Sequence, residues 1–332
     1  MWTKHYFAYL LTIFFYFEGT CLERLGHIPD EYESSGGHSW GMGNGGSAAV
    51  SGLGSIKLNP AMISVEKKYQ ASAGYHWPSS GREYYQVGVV DSKTSPTAAG
   101  ISYTSSFHEY TSFSKAPTAE EKEQAFYDSL VKKRISGAIS NSVGKFHLGL
   151  GVQFIEGFDS NMKPLRGFTT GLGLVGFLTQ SLRFGISGEN LINHRIEQLA
   201  PRTYRAGMAL LLFNGLVTLH ADYRQRQRVN QEYEAGQIKL SDTGDKTFVT
   251  ETVDLSEKDE KMFIGSFSVL FQDLLRLFGG YGHAIDETER QSLSGGIAVV
   301  NSNFSISYVV GRPYLAEDRY HHGMNVSMNV TL

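Results

Sequence analysis

The chain lacks several features on which large classes of proteins depend. It has one cysteine in 332 residues, so neither an intramolecular disulfide nor a metal site of several thiolates is possible. Its 30 basic and 33 acidic residues give a net charge of −3, which provides no basic surface for nucleic acid. Beyond residue 17 no apolar run reaches the roughly 20 residues of a membrane-spanning helix, which excludes a helical membrane protein.

Signs of catalysis are also scarce. There is no H-E-x-x-H sequence of the kind that binds zinc on a helix. The adjacent His321 and His322 would point to opposite faces of a strand, so they cannot hold one metal ion together. We therefore predict that the protein is not an enzyme and uses no cofactor and no metal.

The N-terminus has the pattern of an export signal. Lys4 and His5 precede an apolar run over residues 6–17, and the small residue Gly19 follows it. The run is shorter than the roughly 20 residues that span a bilayer, which favours a cleaved signal peptide over an N-terminal anchor. We predict that residues 1–21 are a signal peptide and that the chain leaves the cytoplasm.

What the rest of the chain does have is glycine, 37 residues of it, and alternation of apolar with small polar residues. The C-terminal run, for example, places Met324, Val326, Met328 and Val330 on one face, with Asn and Ser between them. Such segments are about 9 to 13 residues long, the length of a tilted strand that crosses a bilayer. We count about fourteen, near residues 66–77, 82–91, 97–107, 131–142, 145–156, 165–179, 181–190, 203–213, 216–226, 261–271, 274–284, 290–300, 302–310 and 322–332.

The connections between these segments alternate in length. Connections after even-numbered strands are short, as at Asn214-Gly215, a strong hairpin signal. Connections after odd-numbered strands include the long stretches 108–130, 191–202, 227–260 and 311–320; we interpret 227–260 as a polar surface loop. Short turns on one side and long loops on the other are typical of a bacterial outer-membrane barrel. We predict an all-β, transmembrane antiparallel β-barrel of about fourteen strands.

A glycine-rich run precedes the first strand. Gly41, Gly43 and Gly46 have the G-x-G-x-x-G spacing, but no buried strand comes before them and two further glycines interrupt the stretch that follows. A dinucleotide-binding loop needs both a strand and a helix at these places. We therefore reject a nucleotide site.

The same run, "GNGGSAAVSGLGSIKLNPA" over residues 43–61, resembles the N-terminal segment of the FadL family of outer-membrane β-barrels, a superfamily that includes the PorV-like proteins. The stretches 182–193, 201–212 and 274–284 are similar to later strands of the family in order and spacing. Members of the family have fourteen strands, in agreement with the count above. The resemblance implies a small hatch that folds into the barrel lumen.

Carried onto this chain, the resemblance implies a hatch or plug over residues 22–65 and a barrel over residues 66–332. The hatch residues are Gly43, Asn44, Gly45, Asn59, Pro60 and Ala61. The physical chemistry is compatible, since glycine and alanine permit close backbone packing and Asn-Pro fixes a turn whose amide can bond the wall. The alternative is that Asn59-Pro60-Ala61 is an ordinary turn that leads into the first strand.

Several charged residues fall on the face that alternation directs toward the lumen. They are Arg183, Glu189, Arg205, His220, Asp222, Arg224 and Arg276. Charge is tolerated there because the interior of such a barrel is polar. One interpretation is a lattice of ion pairs that braces the wall and the plug. The other is that Arg183, Arg205 and Arg276 hold the carboxylate of a ligand.

We predict a location in the outer membrane of a Gram-negative bacterium. The expected function is passive uptake of small hydrophobic molecules such as long-chain fatty acids. The alternative is a PorV-like scaffold that binds secreted or surface-attached partners, which the short chain favours. Expected partners are outer-membrane lipid, hydrophobic small molecules and, through the C-terminal strand, the barrel-assembly machinery, with no nucleic acid.

Overall fold

The computed structural model describes residues 36–78, 83–107, 133–158, 164–193, 196–197, 199–227, 232–240, 246–254, 259–285, 291–312 and 320–330. The predicted signal peptide and the first part of the predicted hatch, residues 22–35, lie outside these ranges. The whole 108–130 connection lies outside them as well.

Fourteen strands form one closed antiparallel barrel, in which successive barrel strands pair with each other and the last pairs with the first. The predicted fold and strand count are confirmed. The barrel strands are β1 (Tyr69–Pro78), β2 (Glu83–Asp91), β3 (Ala98–Phe107), β4 (Lys133–Val143), β5 (Phe146–Phe158), β6 (Pro164–Phe177), β7 (Leu182–Glu189), β8 (Thr203–Leu212), β9 (Val217–Arg226), β12 (Glu260–Phe271), β13 (Leu275–Ala284), β14 (Gln291–Val300), β15 (Phe304–Arg312) and β16 (His321–Val330), with β10 (Glu232–Leu240) and β11 (Lys246–Asp254) outside the barrel.

The two faces of the barrel follow the sequence alternation. Along β8, Thr203 and Arg205 are buried, whereas Tyr204 and Met208 are about half exposed. Successive side chains of a strand point to opposite faces, so the apolar set meets lipid and the small polar set lines the bore. Closing the ring satisfies every ladder hydrogen bond, which lipid cannot do.

The turns at one end of the barrel are short, as predicted. Gly144, in the two-residue turn between β4 and β5, has a φ of +62° and so occupies the left-handed region that glycine adopts without strain. The turn at Asn214-Gly215 is longer than expected, because Phe213–Gly215 forms a single 3-10 turn with positive φ at all three residues.

The connection 227–260 differs from the loop that the sequence suggested. It contains the two strands β10 and β11, which pair with each other from Glu232 opposite Asp254 to Leu240 opposite Lys246. These two strands could not be predicted from the sequence, because the stretch is polar and neither face of either strand has a clear apolar set.

Residues 36–65, which we call the N-terminal segment, contain no strand. They form α1 (Gly36–Gly41), α2 (Ser55–Leu58) and two 3-10 turns, Gly52–Gly54 and Pro60–Ser64. Nearly every side chain described in this segment is buried. Helices of this length cannot stand alone in water, so packing holds them in place. None of the helices in the described ranges has the length and hydropathy to span a membrane.

The lipid-facing side of the barrel generates a test. Leu150 lies on the outward face of β5 and is 42% exposed. Replacing it with arginine should lower the free energy of unfolding in phospholipid vesicles by about 2–4 kcal/mol, since charge at mid-depth is costly. Leu150→Ala is the matched control, because it removes the same apolar side chain without adding charge. Equal losses in urea titrations of the two variants would contradict the assignment of this face to lipid.

Candidate functional site

The N-terminal segment contacts the inward face of the barrel on all sides. α1 packs against β13 to β16, and the turn Gly52–Gly54 packs against β1 to β3. The turn Pro60–Ser64 contacts β3 to β6, and α2 contacts β3, β4 and β7. The bore of the described barrel therefore encloses this segment, and the wall residues that touch it form the candidate site.

Asp222 on β9 is the main polar anchor of the segment. Its carboxylate accepts hydrogen bonds from the backbone N–H groups of Gly46 at 2.8 Å and Ser47 at 3.1 Å, and from the Ser47 hydroxyl. Asp222 is 2% exposed. A buried carboxylate needs such donors, because an unpaired charge is costly in a poorly hydrated interior.

Asn59 is a second anchor. Its Nδ2 donates to the carbonyl oxygens of Ser47 at 2.8 Å and of Leu174, in β6, at 3.2 Å. Its Oδ1 accepts from the N–H of Ala61 at 3.1 Å, which caps the 3-10 turn that begins with Pro60. One amide thus forms the local turn and ties it to the wall. Asn59, Pro60 and Ala61 are all buried.

The other predicted hatch residues lie where the segment turns. Gly43 and Asn44 both have positive φ, +71° and 59°, which reverses the chain after α1. The carbonyl oxygen of Asn44 accepts a hydrogen bond from Arg205 Nη1 at 3.1 Å. Gly45 and Gly43 lie against Ile264 of β12, where a larger residue would press on that side chain.

Three serines of the wall bond the segment, and the sequence did not single them out. Ser140 on β4 donates to the carbonyl oxygen of Ala61 at 3.1 Å, and Ser187 on β7 donates to that of Leu58 at 2.6 Å. Ser294 on β14 donates to the Gly41 carbonyl oxygen and accepts from the Gly43 N–H. The alternation of each strand does predict that these serines point inward. Alternation alone does not tell which inward serines form a hydrogen bond with the segment.

Four wall glycines let the segment approach closely. A Cβ at Gly149 or Gly173 would collide with the Asn59-Pro60-Ala61 turn, and one at Gly280 would collide with Met42. A Cβ at Gly207 would collide with the Asp222 carboxylate that holds Ser47. These inward glycines are therefore explained by the segment, since only a missing side chain leaves room for its backbone.

Five of the seven predicted lumen residues lie in one group on β7, β8 and β9. Arg205 and Arg224 face each other directly across the β8–β9 ladder. Their like charges are offset by two carboxylates: Arg224 Nη2 lies 3.0 Å from Glu260 Oε1, and Arg205 Nε lies 3.8 Å from Glu189 Oε1. Buried guanidinium groups require such pairing. Glu260 was not predicted from the sequence, because it begins β12 at the end of a long polar stretch.

His220 completes this group. Its Nε2 lies 3.4 Å from Asp222 Oδ1, and its Nδ1 lies 3.2 Å from the Ser266 hydroxyl. The described ranges contain no group of three His, Cys, Asp or Glu residues that could hold a metal ion. The arrangement can orient the Asp222 carboxylate toward the N-terminal segment, and it is a structural network around that anchor.

Arg183 and Arg276 lie apart from the group, near the short-turn end of the barrel. Both line a cavity of about 430 Å³ with His38, Glu66 and Lys68. A second cavity of about 30 Å³ lies on the other side of the N-terminal segment, lined by residues that include Lys57, Arg134 and Arg224. The segment thus separates two spaces within the bore.

The sequence Gly37-His38-Ser39-Trp40-Gly41 fits the G-x-S-x-G spacing of hydrolase nucleophile elbows. Such an elbow places its serine at an exposed turn between a strand and a helix. Ser39 instead lies within α1 and is fully buried, and no described strand precedes it. The match has no catalytic meaning here.

The Asp222 anchor generates a test. Asp222→Asn removes the negative charge while keeping the shape, so the bonds to Gly46 and Ser47 weaken. Hydrogen bonds to charged groups contribute about 1.5–3 kcal/mol, so hydrogen exchange at these two amides should become about ten- to a hundredfold faster. Asp273→Asn, in an exposed turn, is the control. Unchanged exchange in Asp222→Asn would show that this carboxylate does not hold the segment.

No protein-family model matches the chain, and no curated protein sequence matches it significantly. Solved structures do match its fold. The toluene transporter TbuX of Ralstonia pickettii superposes with a TM-score of 0.59 at 14% identity, covering 90% of this chain and 97% of that one. A FadL homologue from Pseudomonas aeruginosa gives 0.59 at 11% identity, covering 94% and 99%.

The toluene transporter TodX of Pseudomonas putida also matches, with a TM-score of 0.55 at 14% identity over 94% of this chain and 99% of that one. At such low identity the likeness shows the fold. It confirms at that level the resemblance to the FadL family noted from the sequence. The chain has the FadL-type fourteen-strand barrel fold.

Proposed function

We propose that the protein is a passive channel for small hydrophobic molecules and that its N-terminal segment is the hatch. The observation that carries the proposal is the enclosure of residues 36–65 by the barrel wall, with a cavity on either side. Fourteen strands leave a bore too wide for wall side chains to fill. A segment held there by separable contacts closes the bore and can move without unfolding the wall. The fold shared with toluene transporters supports the same proposal.

The contacts of the segment suit exchange with a hydrophobic molecule. Leu53, Ile56 and Ile63 pack against Val90 and Ala138 on the inward face of the wall. If the segment shifts, apolar surface on both sides loses its partner, and a hydrophobic solute can replace part of that burial at about 25 cal/mol per Å². The wall therefore offers an apolar solute a site that the segment occupies when the channel is closed.

A reversible cross-link tests the hatch. The hydroxyls of Ser64, in the segment, and Ser140, on the wall, lie 2.7 Å apart, so cysteines at these positions can form a disulfide. In a Cys21→Ser background, the Ser64→Cys/Ser140→Cys chain should lose uptake of labelled toluene or long-chain fatty acid when oxidised. Reduction should restore uptake to the wild-type rate.

The two single-cysteine chains are the matched controls, since each carries one substitution and cannot cross-link within the barrel. Uptake that continues unchanged in the oxidised double variant would show that the segment does not gate the path. Uptake that is the same in cells lacking the gene would instead contradict the channel function itself.

A scaffold of the PorV-like kind is the second candidate, and the β10–β11 hairpin favours it. Within the described residues these strands form a sheet of their own, with no third strand on either edge. An unpaired edge can accept an extended segment of another protein by β-augmentation. The hairpin lies between β9 and β12, on the long-loop side of the barrel.

This second function predicts a partner that depends on the hairpin. Replacing residues 232–254 with a short Gly-Ser linker should abolish co-purification of a secreted or surface protein while leaving the barrel folded and uptake unchanged. A clean monomer from native membranes, with or without the hairpin, would count against the scaffold.

A further inference from the structure

The cavity at the short-turn end of the barrel has a cationic lining that the hatch and the channel do not use. Arg183 is the second residue of β7 and Arg276 the second residue of β13, and both line this space of about 430 Å³. Ligand pockets commonly measure about 300 to 1,000 Å³, so the cavity is large enough for a small organic molecule. On a FadL-type barrel the short turns face the periplasm.

Among the described residues, neither guanidinium group forms an ion pair within 4 Å or a hydrogen bond with a carboxylate, although Glu66 attracts both at longer range. Arg183 stacks on the Phe177 ring, with its Cζ 4.9 Å from the ring centroid, and its Nε is buried without a hydrogen-bond acceptor. Arg276 makes no hydrogen bond or ion pair to a residue in the described ranges. A guanidinium carries five donors in a fork that matches a carboxylate, so these two groups present unused donors to the cavity.

The one carboxylate of the lining is already engaged. Glu66 lies 2.7 Å from the Lys68 ammonium, which donates a hydrogen bond to it. Burial raises the pKa of Glu66, but the charge and hydrogen bond of Lys68, a hydrogen bond with Ser51 and the charge of Arg276 outweigh it and lower that pKa to about 2. The described lining therefore has three cations, Lys68, Arg183 and Arg276, against the single carboxylate of Glu66, which leaves an excess of two positive charges.

His38 adds no third charge at neutral pH. Burial and the Arg276 guanidinium lower its pKa to about 3, so the ring is neutral. Its Nε2 is buried without a partner in the cavity wall. The rest of the described lining is mixed. It has apolar side chains, namely Met42, Val50, Leu53, Leu211, Phe278 and Val300, and polar ones that include Gln70, Ser72, Ser268, Ser307, Asn325 and Ser327.

We propose that this cavity is a binding site for a small organic carboxylate, held by Arg183 and Arg276 from the periplasmic side. The contrast with Arg205 is informative, because Arg205 already donates to Asn44 and lies beside Glu189. The cavity presents unused guanidinium donors among hydroxyl and amide groups and a few apolar side chains, which suits a small carboxylate and no neutral hydrocarbon. The site does not depend on the uptake function proposed above.

The test uses benzoate as the probe and the full chain in detergent. Calorimetric titration should show saturable binding to one site. Benzyl alcohol, which keeps the ring and lacks the charge, should bind at least about tenfold more weakly, since a charged hydrogen bond is lost. The Arg183→Gln/Arg276→Gln chain should lose benzoate binding by a similar or larger factor.

Lys93→Gln is the matched control, because it removes a positive charge from an exposed short turn outside the cavity and should leave binding intact. Heat-modifiable migration on gels checks that each variant is a folded barrel. The titration is repeated in an Asp30→Asn/Glu31→Gln/Glu33→Gln chain, since these acids precede His38 in the sequence and could compete for the arginines. Equal binding of benzyl alcohol and benzoate, or no arginine-dependent binding in either background, would overturn the proposal.

Discussion

The structure depends on one constraint, which is that a sheet in lipid must close on itself. Each strand of the barrel pairs on both sides. β1 completes the ring by pairing with β16, from Tyr69 opposite Val330 to Pro78 opposite His321. No backbone group of the wall is then left for lipid to satisfy. Closure at fourteen strands creates a bore that the wall side chains cannot fill. The N-terminal segment lies in that space and contacts the wall around it.

Holding a segment of irregular backbone inside a barrel requires donors and acceptors at fixed places. The wall supplies them with few charged groups: the carboxylate of Asp222 for two N–H groups, and the hydroxyls of Ser140, Ser187 and Ser294 for carbonyl oxygens. Glycine supplies the remaining requirement, which is room for the backbone. The small polar residues of the inward face therefore serve packing and bonding together, and a surface exposed to water would not need them.

The sequence predicted the wall well and the interior less well, for a physical reason. Strand bounds follow from local alternation, so the predicted 216–226 is the observed Val217–Arg226 within one residue. Inward parity also follows locally, as for Arg205. Which inward residues meet depends on register and on the path of residues 36–65, so the bond from Ser187 to Leu58 was out of reach. The β10–β11 hairpin was missed because it is defined by the pairing of its two strands and has no clear apolar face that the sequence could reveal.

The three arginines predicted to face the lumen lie at different depths along the bore and therefore have different surroundings. Alternation alone made Arg183, Arg205 and Arg276 equivalent, since each points inward. The N-terminal segment crosses the bore between them, so Arg205 meets the carbonyl oxygen of Asn44 and the carboxylate of Glu189. Arg183 and Arg276 lie on the short-turn side, where Glu66, the one acid among the described lining residues, forms an ion pair with Lys68. The position of the N-terminal segment thus gives inward arginines different surroundings on its two sides: bonded to the segment and the wall on one side, and lining a cavity on the other.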